Sequence, residues 1–194
     1  MAKVFDLIAP VYNLFYGWQY RNFGRSLDEV FDDLKLGEYR TLIDLGSGTG
    51  SLTAVFRDRG FQVTGVDLSI EMVRIASGRK ENRGIDFAHA DASSGLPFPD
   101  KSFDVAFTSF VAHGMAPSER MELYREMQRL AKHLVIIRDY NTNRNAIITL
   151  VEWAERGDYF NFIRVVEAEL KEVFGPIRKL KASAWSSWYV CDPR

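Results

Sequence analysis

Short apolar runs alternate with stretches of helical periodicity along most of the chain. "RTLIDL" (40–45), "FQVTGVD" (61–67), "IDFAHAD" (85–91), "FDVAFTSF" (103–110) and "HLVIIRD" (133–139) have the length and apolar character of buried strands. Between them, "SLTAVFRDRG" predicts a helix stopped by Gly60, and Ser69 stands as the N-cap of a helix through "IEMVRIASGRK". Pro117 suits the first turn of a helix through "SERMELYREMQRLAK", which places Met121, Tyr124, Met127 and Leu130 on one face. Residues 145–157 and about 162–174 are also expected to be helical. This alternation predicts βαβ crossovers and a parallel sheet covered on both faces. The end of the chain differs. "IRKLKASAW" and "SSWYVCD" are separated by a turn too short for a crossover, so they must pair antiparallel.

A length of 194 residues suits one domain, here expected as 1–194 with an N-terminal helical cap over 1–37 and a core over 38–194. The net charge of −1 argues against nucleic acid or an anionic surface as the main partner. No run approaches the ~18 apolar residues of a membrane span. "MAKVFDLIAPVYN" carries Asp6 inside its apolar stretch and lacks a signal-peptide layout. The single cysteine, Cys191, forms no disulfide within the chain and reads as packing, which makes a reducing cytoplasm the expected location.

The chemistry concentrates where the first strand ends. Gly46-Ser47-Gly48-Thr49-Gly50 joins that strand to a helix, the geometry that presents backbone N–H groups to a ligand. Ser51 stands where a dinucleotide fingerprint has its third glycine or alanine. Three acids accompany the turn: Asp44 two residues before it, and Asp67 and Asp91 at the ends of the second and third strands. Strand C-termini of a parallel open sheet share one crevice, so these carboxylates should converge there. A pyrophosphate would meet them without a counter-charge. A sulfonium nucleoside with an ammonium, a ribose diol and an adenine amine would meet them with cations and donors. Asp67 could accept both ribose hydroxyls, a role that asks for two free carboxylate oxygens. Asp91 could accept from the adenine amine and Asp44 could balance the ammonium. Capping of a following helix is the plainer role for any one of these aspartates.

"LIDLGSGTG", "VTGVDLS", "FAHADASSGLPFPDKSFDVAF" and "YREMQRLAKHLVII", in this order and spacing, resemble the class I S-adenosylmethionine-dependent methyltransferases. The nearest likeness is to the small-molecule branch that includes the ubiquinone and menaquinone biosynthesis methyltransferases. "FDLIAPVYN" is similar to that branch's N-terminal pattern, with Asn13 in place of the usual Asp. The resemblance covers residues 41–139. It implies a Rossmann-like three-layer α/β sandwich with a seven-stranded, mostly parallel sheet in the order 3-2-1-4-5-7-6, strand seven antiparallel. It implies S-adenosylmethionine as cofactor, bordered by Gly46, Ser47 and Gly48, with Asp44 supporting the ammonium and Asp67 the ribose. It further implies that Leu68 packs on the adenine and that Met72 closes its edge, the alternative for Met72, one turn into a helix, being a core position. Asp91 and the Ala92 N–H would read the adenine edge. The carbonyl of Ser109 or Phe110 would meet the ammonium, and Tyr12 would lie near the methionine carboxylate.

Methyl transfer from a sulfonium is an in-line displacement, to which a protein contributes orientation, dryness and, for a protonated acceptor, a base. His113, just past the fourth strand, is the catalytic candidate because histidine titrates near neutrality. Its alternative is a loop-shaping histidine. Asp139 and Tyr140 are secondary candidates, while His89 and His133 are read as structural. Phe5, Tyr12, Phe15, Tyr16, Trp18 and Tyr20, with Trp153, Tyr159, Phe160 and Phe162, form two aromatic clusters suited to a small apolar or aromatic methyl acceptor, or else to helix packing. No metal and no nucleic acid is expected as partner. A non-catalytic subunit that binds the nucleoside, and an NAD-dependent oxidoreductase, are the competing functions.

Overall fold

The computed structural model describes residues 9, 12–143 and 158–194, and the chain divides into two compact units, Met1–Ala92 and Ser93–Arg194. In the first unit, helix α1 (Tyr16–Phe31) precedes strand β1 (Thr41–Leu45), α2 (Ser51–Asp58), β2 (Gln62–Asp67), α3 (Ile70–Gly78) and β3 (Asp86–His89). β1 and β3 flank β2, both parallel to it. The apolar strand residues Leu42, Ile43, Leu45, Val63 and Val66 are buried, with Leu52, Ala54, Val55 and Phe56 of α2. Gly60 follows α2 at φ 93°, the left-handed turn that ends a helix without a Cβ penalty. Ser69 caps α3, its Oγ accepting from Met72 N at 3.1 Å. α1 is fastened to α2 by polar contacts: Tyr20 Oη donates to Asp58 at 2.6 Å, and Arg59 Nη2 to Asp28 at 2.6 Å and to the Gly24 carbonyl at 3.1 Å.

In the second unit, β4 (Phe103–Ser109) leads through a short turn to α4 (Pro117–Leu130), β5 (Ala131–Tyr140), α5 (Tyr159–Phe174), β6 (Ile177–Lys181) and β7 (Ser186–Cys191). β4 and β5 are parallel, and β7 runs antiparallel to both β5 and β6. The strand order is β3-β2-β1-β4-β5-β7-β6, with helices around the sheet. Val105, Ala106, Phe107 and Val135–Ile137 are buried, with Leu123, Tyr124, Met127 and Leu130 of α4 and Phe162, Ile163, Val166 and Leu170 of α5. Burial lifts the Cys191 thiol to about 12, which keeps it an inert packing group. No helix among the described residues is long and apolar enough to cross a membrane.

Three boundaries differ from the sequence pattern. β3 stops at His89, so Asp91 lies two residues beyond the strand. The helix expected to reach Lys132 ends at Leu130, because Ala131 is extended and already pairs with Phe103 in the β4–β5 ladder. α5 starts at Tyr159, earlier than the apolar spacing suggested, because Asp158 carbonyl accepts from Asn161 N and Phe162 N. The helix expected over 145–157 lies outside the described residues.

Arg120 ties α4 to α5 from a fully buried position. Its Nε and Nη2 donate to the two oxygens of Glu169 at 2.9 and 2.8 Å. Its Nη1 donates to Asp158 at 2.8 Å and to the Met115 carbonyl at 2.7 Å. Arg120→Met would leave two carboxylates facing an apolar chain. We expect it to lower the unfolding free energy by about 3 kcal/mol, measured by urea denaturation. A loss below about 1 kcal/mol would show that the carboxylates rehydrate at little cost.

Candidate functional site

The glycine turn has the geometry its sequence promised, and the reason for each glycine is visible. Gly46, Gly48 and Gly50 have φ of 81°, 56° and 81°, a region that costs other residues about 1–2 kcal/mol each. The turn hangs on the neighbouring strand: Gly46 N and Ser47 N both donate to the Val66 carbonyl, at 2.8 and 3.0 Å. A Cβ on Gly50 would stand 2.4 Å from Asn82 Nδ2 and 2.7 Å from the Phe87 ring. A Cβ on Gly48 would meet nothing within 4 Å, so the turn presents open space there. The Ser47 hydroxyl is buried with no hydrogen-bond partner among the described residues. Open space over the backbone at Gly48 fits a ligand lying across the turn.

Asp67 is placed at the end of β2, but its oxygens are not idle. Gly48 N donates to Oδ2 at 2.7 Å and Ser69 N to Oδ1 at 2.8 Å. The expectation of two uncommitted oxygens is therefore corrected: the carboxylate first organises the turn. A carboxylate oxygen has two acceptor sites, so a ligand hydroxyl can share an oxygen with a backbone N–H. Leu68, the next residue, is 41% exposed and offers an apolar surface, and His89 Nε2–H donates to its carbonyl at 3.0 Å. Met72, in contrast, is buried on α3. Asp91 and Ala92 follow β3 in half-buried positions, and Tyr12 lies ahead of α1, partly exposed.

Asp44 is 2% exposed and accepts from Thr53 Oγ1 at 2.7 Å. Desolvation pushes its carboxyl up to about 7, against the lowering effect of the Thr53 bond and with a smaller push from Asp67. Desolvation leaves this acid poised near neutrality, so a cationic charge brought beside it would favour its ionised form.

Sequence reasoning missed Asn82. It stands in the polar stretch "KENRG", where nothing in the pattern marks it. The structure buries it beneath the glycine turn, its Nδ2 donating to the Thr49 carbonyl at 3.0 Å and the Ala76 carbonyl at 2.8 Å. Its Oδ1 accepts from Tyr16 Oη at 2.5 Å. Tyr16 and Tyr20 thus hold α1 in place. Trp18 and Phe15 are exposed, and Phe5 and Trp153 lie outside the described residues.

In the second unit, the Asp139 carboxylate organises the segment after β4. Its Oδ1 accepts from His113 Nδ1 at 2.8 Å and from Tyr140 N at 2.7 Å, and its Oδ2 from His113 N at 3.3 Å. The carboxylate directs the Nδ1 proton and leaves Nε2 as the basic nitrogen. The His113 ring is 4.7 Å from that of Tyr140, 6.3 Å from Phe162 and 6.4 Å from Phe110. Phe110 itself has φ 53°, an uncommon backbone for an aromatic residue, fixed by its N–H donating to the Arg138 carbonyl at 2.9 Å. The neighbouring Ser109 Oγ is buried with no hydrogen-bond partner among the described residues. Of the aromatic cluster read as acceptor pocket or helix packing, Tyr159 and Phe162 are buried core residues. No group of three or more His, Cys, Asp or Glu side chains among the described residues could hold a metal ion.

Known proteins resemble this chain. Residues 43–137 match the family described as a methyltransferase domain. A demethylmenaquinone methyltransferase of Paenarthrobacter aurescens is 32% identical over 137 residues, covering 68% of this chain and 51% of that protein. One from Thermus thermophilus is 34% identical over 133 residues, covering 63% of this chain and 58% of that protein. The chain thus spans between half and three-fifths of the length of these curated relatives. Among solved structures, a Pyrococcus horikoshii protein is 26% identical with a TM-score of 0.70, covering 88% of this chain and 91% of its own. Motifs, strand order and relatives point the same way: residues 43–137 match a methyltransferase domain, and the chain resembles the class I S-adenosylmethionine-dependent methyltransferases.

Proposed function

We propose that this chain transfers the methyl group of S-adenosylmethionine to a small, apolar or aromatic acceptor. The observation that carries the reading is the glycine turn tied to the Asp67 carboxylate with open space above Gly48. In this reading the turn from Gly46 to Gly48 borders the methionine moiety, Asp67 accepts from the ribose, and exposed Leu68 packs on the adenine. Asp91 and Ala92 read the adenine edge. Asp44 balances the positive charge, and Tyr12 and Met72 complete the surroundings in the first unit. The bound sulfonium supplies a methyl carbon already activated for displacement. Ser109, Phe110 and His113 belong to the second unit, where His113, oriented by Asp139, is the base for an acceptor that carries a proton. The relatives named as demethylmenaquinone methyltransferases support a ring-bearing small molecule as acceptor. Isotopically labelled cofactor incubated with the chain and a metabolite extract tests the activity. Binding without any labelled product would favour a non-catalytic subunit.

Three outcomes are expected. Gly48→Val should fold, since its side chain meets open space, at a backbone cost of about 1–2 kcal/mol. It should nevertheless lose binding in calorimetric titration with S-adenosylmethionine, because the branched side chain occupies the ligand's place. Normal affinity would mean that the ligand does not cross the turn.

Asp44 gives a pH dependence with a definite sign. Its folded carboxyl sits near 7, above the ordinary range, so protonation favours the ligand-free fold and that contribution is lost as pH rises through 7. A cationic ligand favours the carboxylate instead, so binding below pH 7 must release a proton. Affinity should fall about tenfold per pH unit below 7 and be flat above it. Asp44→Asn should bind more weakly at pH 8 and lack the slope. A wild-type affinity independent of pH between 5.5 and 8 would remove Asp44 from the charge balance.

For His113→Ala, turnover should fall by about 10²–10⁴-fold with cofactor affinity unchanged, and the pH–rate profile should lose one ionisation. A loss confined to acceptor KM would make the ring part of the pocket wall and not the base.

A further inference from the structure

Asn82 joins three elements of the first unit that are far apart in sequence. Its two amide hydrogens are both spent, on the Thr49 carbonyl at 3.0 Å in the glycine turn and on the Ala76 carbonyl at 2.8 Å near the end of α3. Facing two carbonyls fixes the orientation of the amide and turns Oδ1 toward Tyr16, whose hydroxyl donates to it at 2.5 Å. Tyr16 stands in the first turn of α1, and both it and Asn82 are 3% exposed. A second link lies beside the first. The Arg79 guanidinium sits 3.8 Å from the centre of the Tyr16 ring, and Arg79 Nη1 also donates to Asn13 Oδ1. Burial raises the Tyr16 hydroxyl to about 12, so it remains a donor throughout the physiological range.

From this geometry we infer that Asn82 is a positioning residue for the cofactor, coupling the N-terminal helix to the glycine turn through Tyr16. The inference rests on the proposal that S-adenosylmethionine lies across that turn. The Thr49 carbonyl belongs to the peptide that enters Gly50, and Asn82 holds that peptide plane while Gly50 N donates to the Ser47 carbonyl at 3.0 Å. Gly50 lacks a Cβ in the place where one would strike Asn82. The amide, the missing side chain and the turn form one fitted unit. A change in the seat of Tyr16 is therefore felt by the Thr49–Gly50 peptide, and ordering of the turn by a ligand is felt by α1. Coupling of this kind is reciprocal: the factor by which a docked helix favours cofactor is the factor by which cofactor favours a docked helix.

Two variants separate the ends of the link. Tyr16→Phe removes one hydroxyl and keeps the ring on Arg79. Asn82→Asp keeps an acceptor for Tyr16 but removes the donors to Thr49 and Ala76. Calorimetry with S-adenosylmethionine should show affinity about 5–20-fold weaker for each, and the double variant should be weaker by less than the product of the two. Hydrogen exchange supplies a readout that a merely structural role would not move. Cofactor should slow exchange of amides 16–24 in the wild type, and the slowing should shrink in Tyr16→Phe even at saturating cofactor. Wild-type affinity in Tyr16→Phe, or undiminished slowing in that variant, would overturn the coupling while leaving the cofactor site standing. A wild-type chain that does not bind S-adenosylmethionine would overturn both. Thermal melts of the free variants separate unfolding from loss of coupling, with Tyr16→Phe as the milder change.

Discussion

The Asp67 carboxylate accepts two backbone N–H groups, from Gly48 at 2.7 Å and Ser69 at 2.8 Å, and the candidate site in the first unit depends on that pair of bonds. One side chain at the end of β2 thereby fixes the loop leaving β1 and the residue that caps α3. Charge-assisted bonds of this type contribute about 1.5–3 kcal/mol each, enough to hold a five-residue turn in which three glycines have positive φ. The glycines supply the permitted dihedrals, and the carboxylate selects one arrangement among them. Replacing Asp67 would therefore disturb the turn as well as any hydroxyl it receives, so a weakened ligand alone would not isolate its role.

Much of this was legible in the chain because it follows from local rules. Apolar runs of strand length gave β1, β2, β4 and β5, and the short link between residues 181 and 186 forced the antiparallel hairpin of β6 and β7. Glycine at every second position marked the turn. What escaped was long-range pairing between polar side chains. Asn82 meets Tyr16 across 66 residues, and His113 meets Asp139 across 26. Each is an ordinary polar residue in its local stretch, and periodicity carries no information about its partner. Aromatic clustering left two readings open for a related reason. Tyr16, Tyr159 and Phe162 are buried in packing and hydrogen bonds, uses that composition alone does not separate from lining a pocket.

His113 and Asp139 show the same logic in the second unit. Asp139 is fully buried and lies next to Tyr140 at the end of β5, a strand whose ladder with β4 and β7 fixes its position. Two of the three bonds this carboxylate accepts come from His113, through its ring Nδ1 and its backbone N, and they set the orientation of the ring on the 3-10 turn Ala112–Gly114. A base is useful only if its lone pair points one way, and a carboxylate on the far nitrogen is the usual means of securing that. The strained Phe110 backbone keeps its aromatic ring against both His113 and Tyr140.

In the proposed site, the balance of charge favours a sulfonium nucleoside over a dinucleotide. Asp44 and Asp67 are near enough for Asp67 to raise Asp44, and Asp44 is buried. At an effective dielectric of about 20 and a separation of about 5 Å, each unit charge on a ligand would interact with a carboxylate by about 3 kcal/mol. A pyrophosphate laid over the turn would carry that energy as repulsion, and Asp44 would answer by holding its proton, so the ligand would enter a site still facing Asp67. A sulfonium and an ammonium reverse the sign. Bound as proposed, they would draw the proton off Asp44 and offset the cost of burying its carboxylate. On the proposed binding mode, the acid whose burial disfavours its charged form is the group that a cationic ligand would turn to advantage.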